Sequence, residues 1–299
     1  MSISKIGVAG CGLMGAGIAH TCARAGFTTF VTDKNQEILG KGINRIFSFI
    51  DKGIEKGKAT LEERRTVEKN LTGVDKLEEL IDCDLIIEAV PEVFQIKADI
   101  FQNLNNILPA RCIFASNTSS LKISNLAEIS GRKDKFVGIH FFNPVPVMNL
   151  TEVIKIEATK PEVFAEVLTF IKAIGKTPIV CQDSTGFVVN RLLTPYLLDA
   201  VRAFETRLAS VTDIDTAVKL GLGYPMGPLT LIDYVGVETV HHISEIMQNE
   251  FHLPQYRPPA LLRRMMDKGW LGKKSGKGFY VYSSTGAVGN DDELTALMK

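Results

Sequence analysis

His140 and Glu152 lie twelve residues apart, on either side of the turn Pro144-Val145-Pro146. His140 is near the end of the apolar run Phe136 to Phe141, and Glu152 starts or enters the run Leu150 to Ile156. If the chain reverses at the prolines, the two runs lie side by side. An imidazole in that place exchanges a proton at neutral pH, and a neighbouring carboxylate fixes its tautomer and stabilises the imidazolium. On spacing alone a hydrogen-bonded structural histidine fits as well as a catalytic one. Ser116-Asn117-Thr118-Ser119-Ser120 follows another apolar run, so its hydroxyls are expected at the same strand ends. His20 falls inside a helical pattern, and His241, His242 and His252 have no HxxxH spacing or cysteine partner, so no metal site is expected.

A second chemistry-bearing segment opens the chain. Gly10-Cys11-Gly12-Leu13-Met14-Gly15 follows the run Lys5 to Ala9 directly and precedes a helical pattern, Ala16 to Ala25. Its glycines suit a tight turn, the approach of a pyrophosphate to backbone N–H groups, and close packing of helix on strand. The helix N-terminus adds partial positive charge for the phosphates. The next strand ends at Asp33, 18 residues past Gly15, where a carboxylate accepts hydrogen bonds from ribose hydroxyls. A 2′-phosphate would meet it as a like charge, which favours NAD over NADP, with Lys34 beside it as the opposing sign. A third strand ends at Glu88-Ala89-Val90-Pro91-Glu92, and ligands of open α/β sheets bind beyond such strand ends.

The elements that must position these residues read as an alternation. Ile6–Ala9, Thr28–Thr32, Leu85–Val90, Cys112–Ser116 and Phe136–Phe141 are β-rich and separated by helical stretches, the pattern of a parallel sheet covered on both faces. Leu150–Ile156 and Thr177–Cys181 add strands at the edge, expected to run antiparallel, around a helix near 161–174. Between Thr32 and Leu85 the chain is too long for a simple crossover. Ile38, Leu39, Ile43, Ile46, Phe47, Ile50 and Ile54 there predict one long amphipathic helix, with Lys41, Arg45, Lys52 and Lys56 largely off the stripe. Those cations suit a solvated face, and they equally suit a phosphorylated ligand. After residue 185 the apolar period becomes helical near 187–204, 213–221, 236–249 and 258–269. We therefore expect a first domain over 1–185 and an α-helical one over 186–299.

Composition sets the class. The 299 residues are 45% hydrophobic and 23% charged, which excludes disordered and fibrous proteins. Lys plus Arg and Asp plus Glu both number 34, so no net field draws nucleic acid or an anionic membrane, and neither partner is expected. Five cysteines form no CxxC pair and read as reduced. The first residues lack a signal-type apolar region and no 18-residue apolar run follows, so a cytosolic location is expected.

The glycine loop, SNTSSL, GIHFFNPVPVMNLTEVI, GFVVNR and GLGYPMGPLTLIDYVG together resemble the L-3-hydroxyacyl-CoA dehydrogenases, in particular bacterial 3-hydroxybutyryl-CoA dehydrogenases, over nearly the whole chain. The resemblance implies a Rossmann-type doubly wound sheet followed by an all-α C-terminal domain, a homodimer through that domain, and NAD-dependent oxidation of an acyl-CoA 3-hydroxyl. It implies His140 as general base, Glu152 as its orienting carboxylate, and Ser119 and Asn190 as hydrogen-bond partners of the reacting oxygen or holders of substrate. Gly10, Gly12, Leu13, Met14, Gly15, Asp33 and Ala89 fall at the cofactor cradle. Ser119, Glu92, Lys97, Asn143 and Lys274 match further cofactor-contact positions, and Lys52 and Lys56 match an element that touches CoA.

Two other readings compete. The 6-phosphogluconate and β-hydroxyacid dehydrogenases share the glycine loop, but resemblance to them calls for a lysine four residues before Asn190, and Gly186 stands there. Gulonate-type dehydrogenases of a free hydroxy or sugar acid, and related crystallins that hold NADH without turnover, share the HFFNPVP-like pattern. The full set Ser119, His140, Glu152 and Asn190 speaks against a crystallin-like role.

Overall fold

The computed structural model describes residues 3–284 and 286–298. The chain forms two compact units, Met1–Phe187 and Val188–Lys299.

The first unit is built on β1 (Lys5–Ala9), β2 (Thr28–Thr32), β3 (Leu71–Gly73), β4 (Leu85–Glu88), β5 (Ile113–Ser116), β6 (Phe136–Phe141), β7 (Leu150–Lys155) and β8 (Thr177–Gln182). They form one sheet in the order β3-β2-β1-β4-β5-β6-β7-β8. Strands β1 to β6 all run parallel to one another, β7 is antiparallel to β6, and β8 is parallel to β7. The order reverses between β1 and β4, which leaves a crevice at their carboxyl ends. Every residue of β4, β5 and β6 is buried, as expected of strands covered on both faces. Side chains alternate between two cores, with Ile87 and Ala115 in one and Ile86 and Phe114 in the other.

Helices α1 (Leu13–Arg24), α2 (Gln36–Glu55), α3 (Leu61–Asn70), α4 (Phe94–Ile107), α5 (Ile123–Ile129) and α6 (Pro161–Ala173) cover the sheet. Asn35 caps α2, its side chain accepting from Ile38 N at 2.9 Å. The region after Thr32 holds more than the expected single helix, since α3 and β3 follow α2. Helix α3 has no apolar stripe to reveal it, because Val67 is its one buried residue. It is marked instead by Thr60, whose hydroxyl accepts from Glu63 N at 3.1 Å.

The second unit is helical: α7 (Val189–Glu205), α8 (Val211–Gly221), α9 (Pro228–Val235), α10 (Val237–Phe251), α11 (Ala260–Asp267) and α12 (Asp291–Met298). It also carries a small hairpin, β9 (Tyr280–Ser283) with β10 (Gly286–Gly289), which the helical expectation lacked. Helix α9 was not anticipated either. Its cap comes from Asp215, whose carboxylate accepts from Leu229 N at 2.8 Å and Thr230 N at 2.9 Å, a partner out of reach of local pattern. All five cysteines are buried and free. Among the described residues no helix is long and apolar enough to cross a membrane.

Candidate active site

The site in the first unit grows from the carboxyl ends of β1, β2, β4, β5 and β6. The β1–α1 turn needs its glycines. Gly10 has φ +105°, and a Cβ on Gly15 would collide with the Gly10 carbonyl. At Gly12 an added Cβ meets nothing within 4 Å. Packing therefore does not demand glycine at position 12, and the space above that backbone is open for a ligand that must come close. Leu13 and Met14 start α1 beside it, and Leu13 is exposed. Asp33 lies just past β2, where its carboxylate accepts from Cys11 N at 2.6 Å and Lys34 N at 2.7 Å. It thus steadies the glycine loop as well as offering oxygen to a ribose. These residues fit NAD.

Behind this crevice is a sealed ion-pair network. Lys97 and Glu88 have no exposed surface, and Lys97 Nζ lies 2.7 Å from Glu88 Oε1. Burial pushes the Glu88 carboxyl up, against the pull of that ammonium. Glu88 also accepts from Ser116 Oγ at 2.6 Å and Val90 N at 2.7 Å. The Lys97 ammonium further donates to Val90 O and pairs with Glu92 Oε2 at 3.3 Å. Oxygen Oε1 of Glu92 then gathers the serine loop, accepting from Thr118 Oγ1 at 2.5 Å, Ser119 N at 2.9 Å and Ser120 N at 3.0 Å. Burial pushes the Glu92 carboxyl up, but Lys97 and these hydrogen bonds win and hold it below its usual range. Lys97 therefore reaches the crevice through Glu92, with its own ammonium enclosed.

His140 and Glu152 are directly opposed in the β6–β7 ladder. Their side chains meet at 2.6 Å, His140 Nδ1 to Glu152 Oε2. With Nδ1–H donating to the buried Glu152 carboxylate, Nε2 is the ring nitrogen left to exchange a proton with a ligand. The rings of Phe142 and Phe187 flank the imidazole, with centroids 4.6 and 5.6 Å away. Asn117 Oδ1 accepts from Phe141 N at 2.9 Å and ties the serine loop to the histidine strand. The first unit thus brings together Gly10, Gly12, Gly15, Asp33, Ala89, Glu92, Ser119 and His140 at strand ends, with Asn143 exposed on the turn after β6.

Lys52 and Lys56 are exposed at the last turn and the end of α2. Asn190 is the second residue of α7, and Lys274 pairs with Glu238, both in the second unit. Reading the sequence missed three groups: Glu88 as the hub of the buried network, Asn117 as the tie to Phe141, and Lys176. The last follows a helix end, where a lysine ordinarily reads as solvated, yet it is only 5% exposed. Burial, with Arg24 nearby, pushes its ammonium down to about 8.

Comparison with known proteins agrees with this geometry. Residues 5–184 match the family model described as 3-hydroxyacyl-CoA dehydrogenase, NAD binding domain, and 186–282 match 3-hydroxyacyl-CoA dehydrogenase, C-terminal domain. A probable 3-hydroxybutyryl-CoA dehydrogenase of Deinococcus radiodurans is 44% identical over 93% of this chain and 100% of its own. The human mitochondrial hydroxyacyl-coenzyme A dehydrogenase is 41% identical over 94% of this chain and 91% of its own. Among solved structures, (S)-3-hydroxybutyryl-CoA dehydrogenase PaaH1 of Ralstonia eutropha superposes with a TM-score of 0.91 at 40% identity, covering 95% of this chain and 100% of that one.

Proposed function

The chain belongs to the 3-hydroxyacyl-CoA dehydrogenase family, and from that premise we propose how its own residues carry out NAD-dependent oxidation of a short-chain L-3-hydroxyacyl-CoA, such as 3-hydroxybutyryl-CoA, and the reverse reduction of acetoacetyl-CoA. The observation that carries the reading is the 2.6 Å contact of His140 with a fully buried Glu152 at the strand ends.

In oxidation, His140 Nε2 takes the proton of the 3-hydroxyl. Bound NAD supplies the hydride acceptor for C3. Glu152 stabilises the imidazolium as it forms and keeps the ring from turning. In reduction the pair starts protonated and returns the proton to the ketone oxygen. By the family resemblance Ser119 and Asn190 hydrogen-bond that oxygen or hold the substrate, and donors aimed at developing charge lower the barrier. Ser119 is suited to this because Glu92 fixes its backbone. The cofactor rests on Gly10, Gly12, Leu13, Met14, Gly15 and Ala89, with Asp33 on the ribose and Glu92, Asn143 and Lys274 as further contact positions, while the enclosed Lys97 acts through Glu92 and does not touch the cofactor itself. Lys52 and Lys56 offer exposed cations to the CoA phosphates.

We assign cofactor binding to 1–185 and dimerisation and substrate contacts to 186–299, in a cytosolic homodimer. The second unit exposes Leu208 at 78% and Leu220 at 81%, apolar surface of the kind a second copy covers. Five buried free thiols suit a reducing compartment.

NADH consumption with acetoacetyl-CoA, longer 3-ketoacyl-CoAs and free acetoacetate tests the reading. Turnover should be highest with acetoacetyl-CoA. Preference for free acetoacetate would favour a gulonate-type substrate, and NADH binding without any turnover would overturn the enzymatic reading.

A further inference from the structure

Residues 142–149 join the strand of His140 to that of Glu152, and their backbone carbonyls are held by an unusual set of donors. Lys176 Nζ, just before β8, donates to Val145 O at 2.5 Å and to Met148 O at 2.7 Å. Arg24 of α1 donates to Pro146 O at 3.4 Å. Pro144 O accepts from Val147 N and Met148 N, both at 3.0 Å, and Asn149 O accepts from Thr177 N at 2.7 Å. The turn also sits hard on α1: Val145 is buried, and a Cβ on Gly17 would come within 2.9 Å of the Val145 Cβ.

The ladder explains why this matters to the site. Strands β6 and β7 are paired over Gly138–Phe141 and Thr151–Ile154, so one pair, Phe141 with Thr151, separates the turn from His140 and Glu152. A loosened turn would fray the ladder from that end and turn the imidazole away from its carboxylate. A buried ammonium is costly unless its donors are used, and here two are spent on one turn.

We propose that Lys176 is a positioning residue for the reaction: by clamping the carbonyls of Val145 and Met148 it fixes the 142–149 turn, and through it the His140–Glu152 pair. This rests on the reading of His140 and Glu152 above.

The test is a double-mutant cycle in the full-length protein with acetoacetyl-CoA and NADH. Lys176→Met keeps the apolar stem and removes the donors. It should lower kcat by about 10- to 100-fold, the cost of misplacing a catalytic group, with KM for acetoacetyl-CoA little changed. Lys176→Arg, which keeps a cation, should recover most of the loss. In a His140→Ala background Lys176→Met should cost nothing more, because the group it positions is gone. Additive losses, or full kcat in Lys176→Met, would overturn the proposal. Should Lys176→Met not fold, Lys176→Gln enters the same cycle. Failure of the underlying reading looks different: His140→Ala itself would retain kcat.

Discussion

Among the described residues four carboxylates are buried, two in each unit, and their partners differ in kind. In the first unit Glu88 holds the ammonium of Lys97 and Glu152 holds the imidazole of His140. In the second, Asp215 accepts from Leu229 N, Thr230 N and the Tyr280 hydroxyl. Asp233 accepts from Phe279 N, Tyr280 N and the Tyr282 hydroxyl. The first pair meets side chains that carry or exchange protons, whereas the second meets backbone N–H groups and hydroxyls that do neither near neutral pH. Burial pushes the Asp233 carboxyl up to about 6, although it serves as a staple between α9 and the β9 strand. A raised carboxyl is therefore no marker of function in this protein. The partner decides.

The comparison breaks most visibly at His140, the proposed general base. His140→Ala should lower kcat by roughly 10²- to 10⁴-fold per folded molecule, with NADH affinity close to that of the wild type. Glu152→Gln should also depress kcat more than binding. Steady-state rates with acetoacetyl-CoA alongside thermal melts check both, and a His140→Ala enzyme above a tenth of wild-type kcat, with chemistry rate-limiting, would remove the histidine from the mechanism.

Asp233→Asn should show the opposite signature. An amide places a donor where a backbone N–H needs an acceptor, so stability should fall by about 2–4 kcal/mol. Rates per folded molecule should hold. Urea unfolding with rates corrected for the folded fraction measures this, and a stable but inactive variant would erase the distinction between the units.

His20 sharpens the comparison as a buried ionisable group whose Nε2 has no hydrogen bond. Burial, with Arg24 and Lys176 nearby, lowers its pKa from 6.5 to about 4. The unfolded chain then binds the extra proton between those values, so this contribution is full above about 6.5 and is lost as pH falls towards 4. Glu63 Oε1, 3.6 Å away, opposes the shift, so about 3 kcal/mol is the upper end. His20→Gln should flatten the wild-type loss of stability between pH 7 and 4.5 in urea titrations. Parallel curves for the two proteins would show that His20 is not the group responsible.

The smallest effect is expected at Asp33, a carboxylate that holds its own loop and is proposed to meet the ribose. Asp33→Ala should weaken NADH binding about tenfold, roughly 1.4 kcal/mol, and narrow its advantage over NADPH. Fluorescence titration with both nucleotides reads it. NADPH bound as tightly as NADH by the wild type would refute the ribose role.

Period and spacing were enough for much of this molecule. The fully buried strands β4, β5 and β6 announce themselves as apolar runs, and the glycine loop with Asp33 is a local motif read within one βαβ unit. The His140 and Glu152 runs were visible as strands, and ladder register, which spacing could not fix, set the two residues opposite each other. Helix α3 stayed hidden because a polar helix with one buried residue has no stripe. Helix α9 stayed hidden because its cap, Asp215, lies 14 residues away from Leu229.

The sequence by itself determined the strands of the main sheet other than β3, the helices with an apolar stripe, and which residue types stand at the strand ends, since side-chain period and turn chemistry act within a few residues. Tertiary structure alone decided who meets whom. Lys97 looks like an ordinary helix lysine and is sealed against Glu88, Lys176 looks solvated and grips the turn at 145–148, and Asp215 and Asp233 look like surface acids and hold backbone N–H groups. The reason is that a charge is tolerated inside a protein only with a partner, and these partners come from segments that the fold, and no local rule, brings within 3 Å or so of each other.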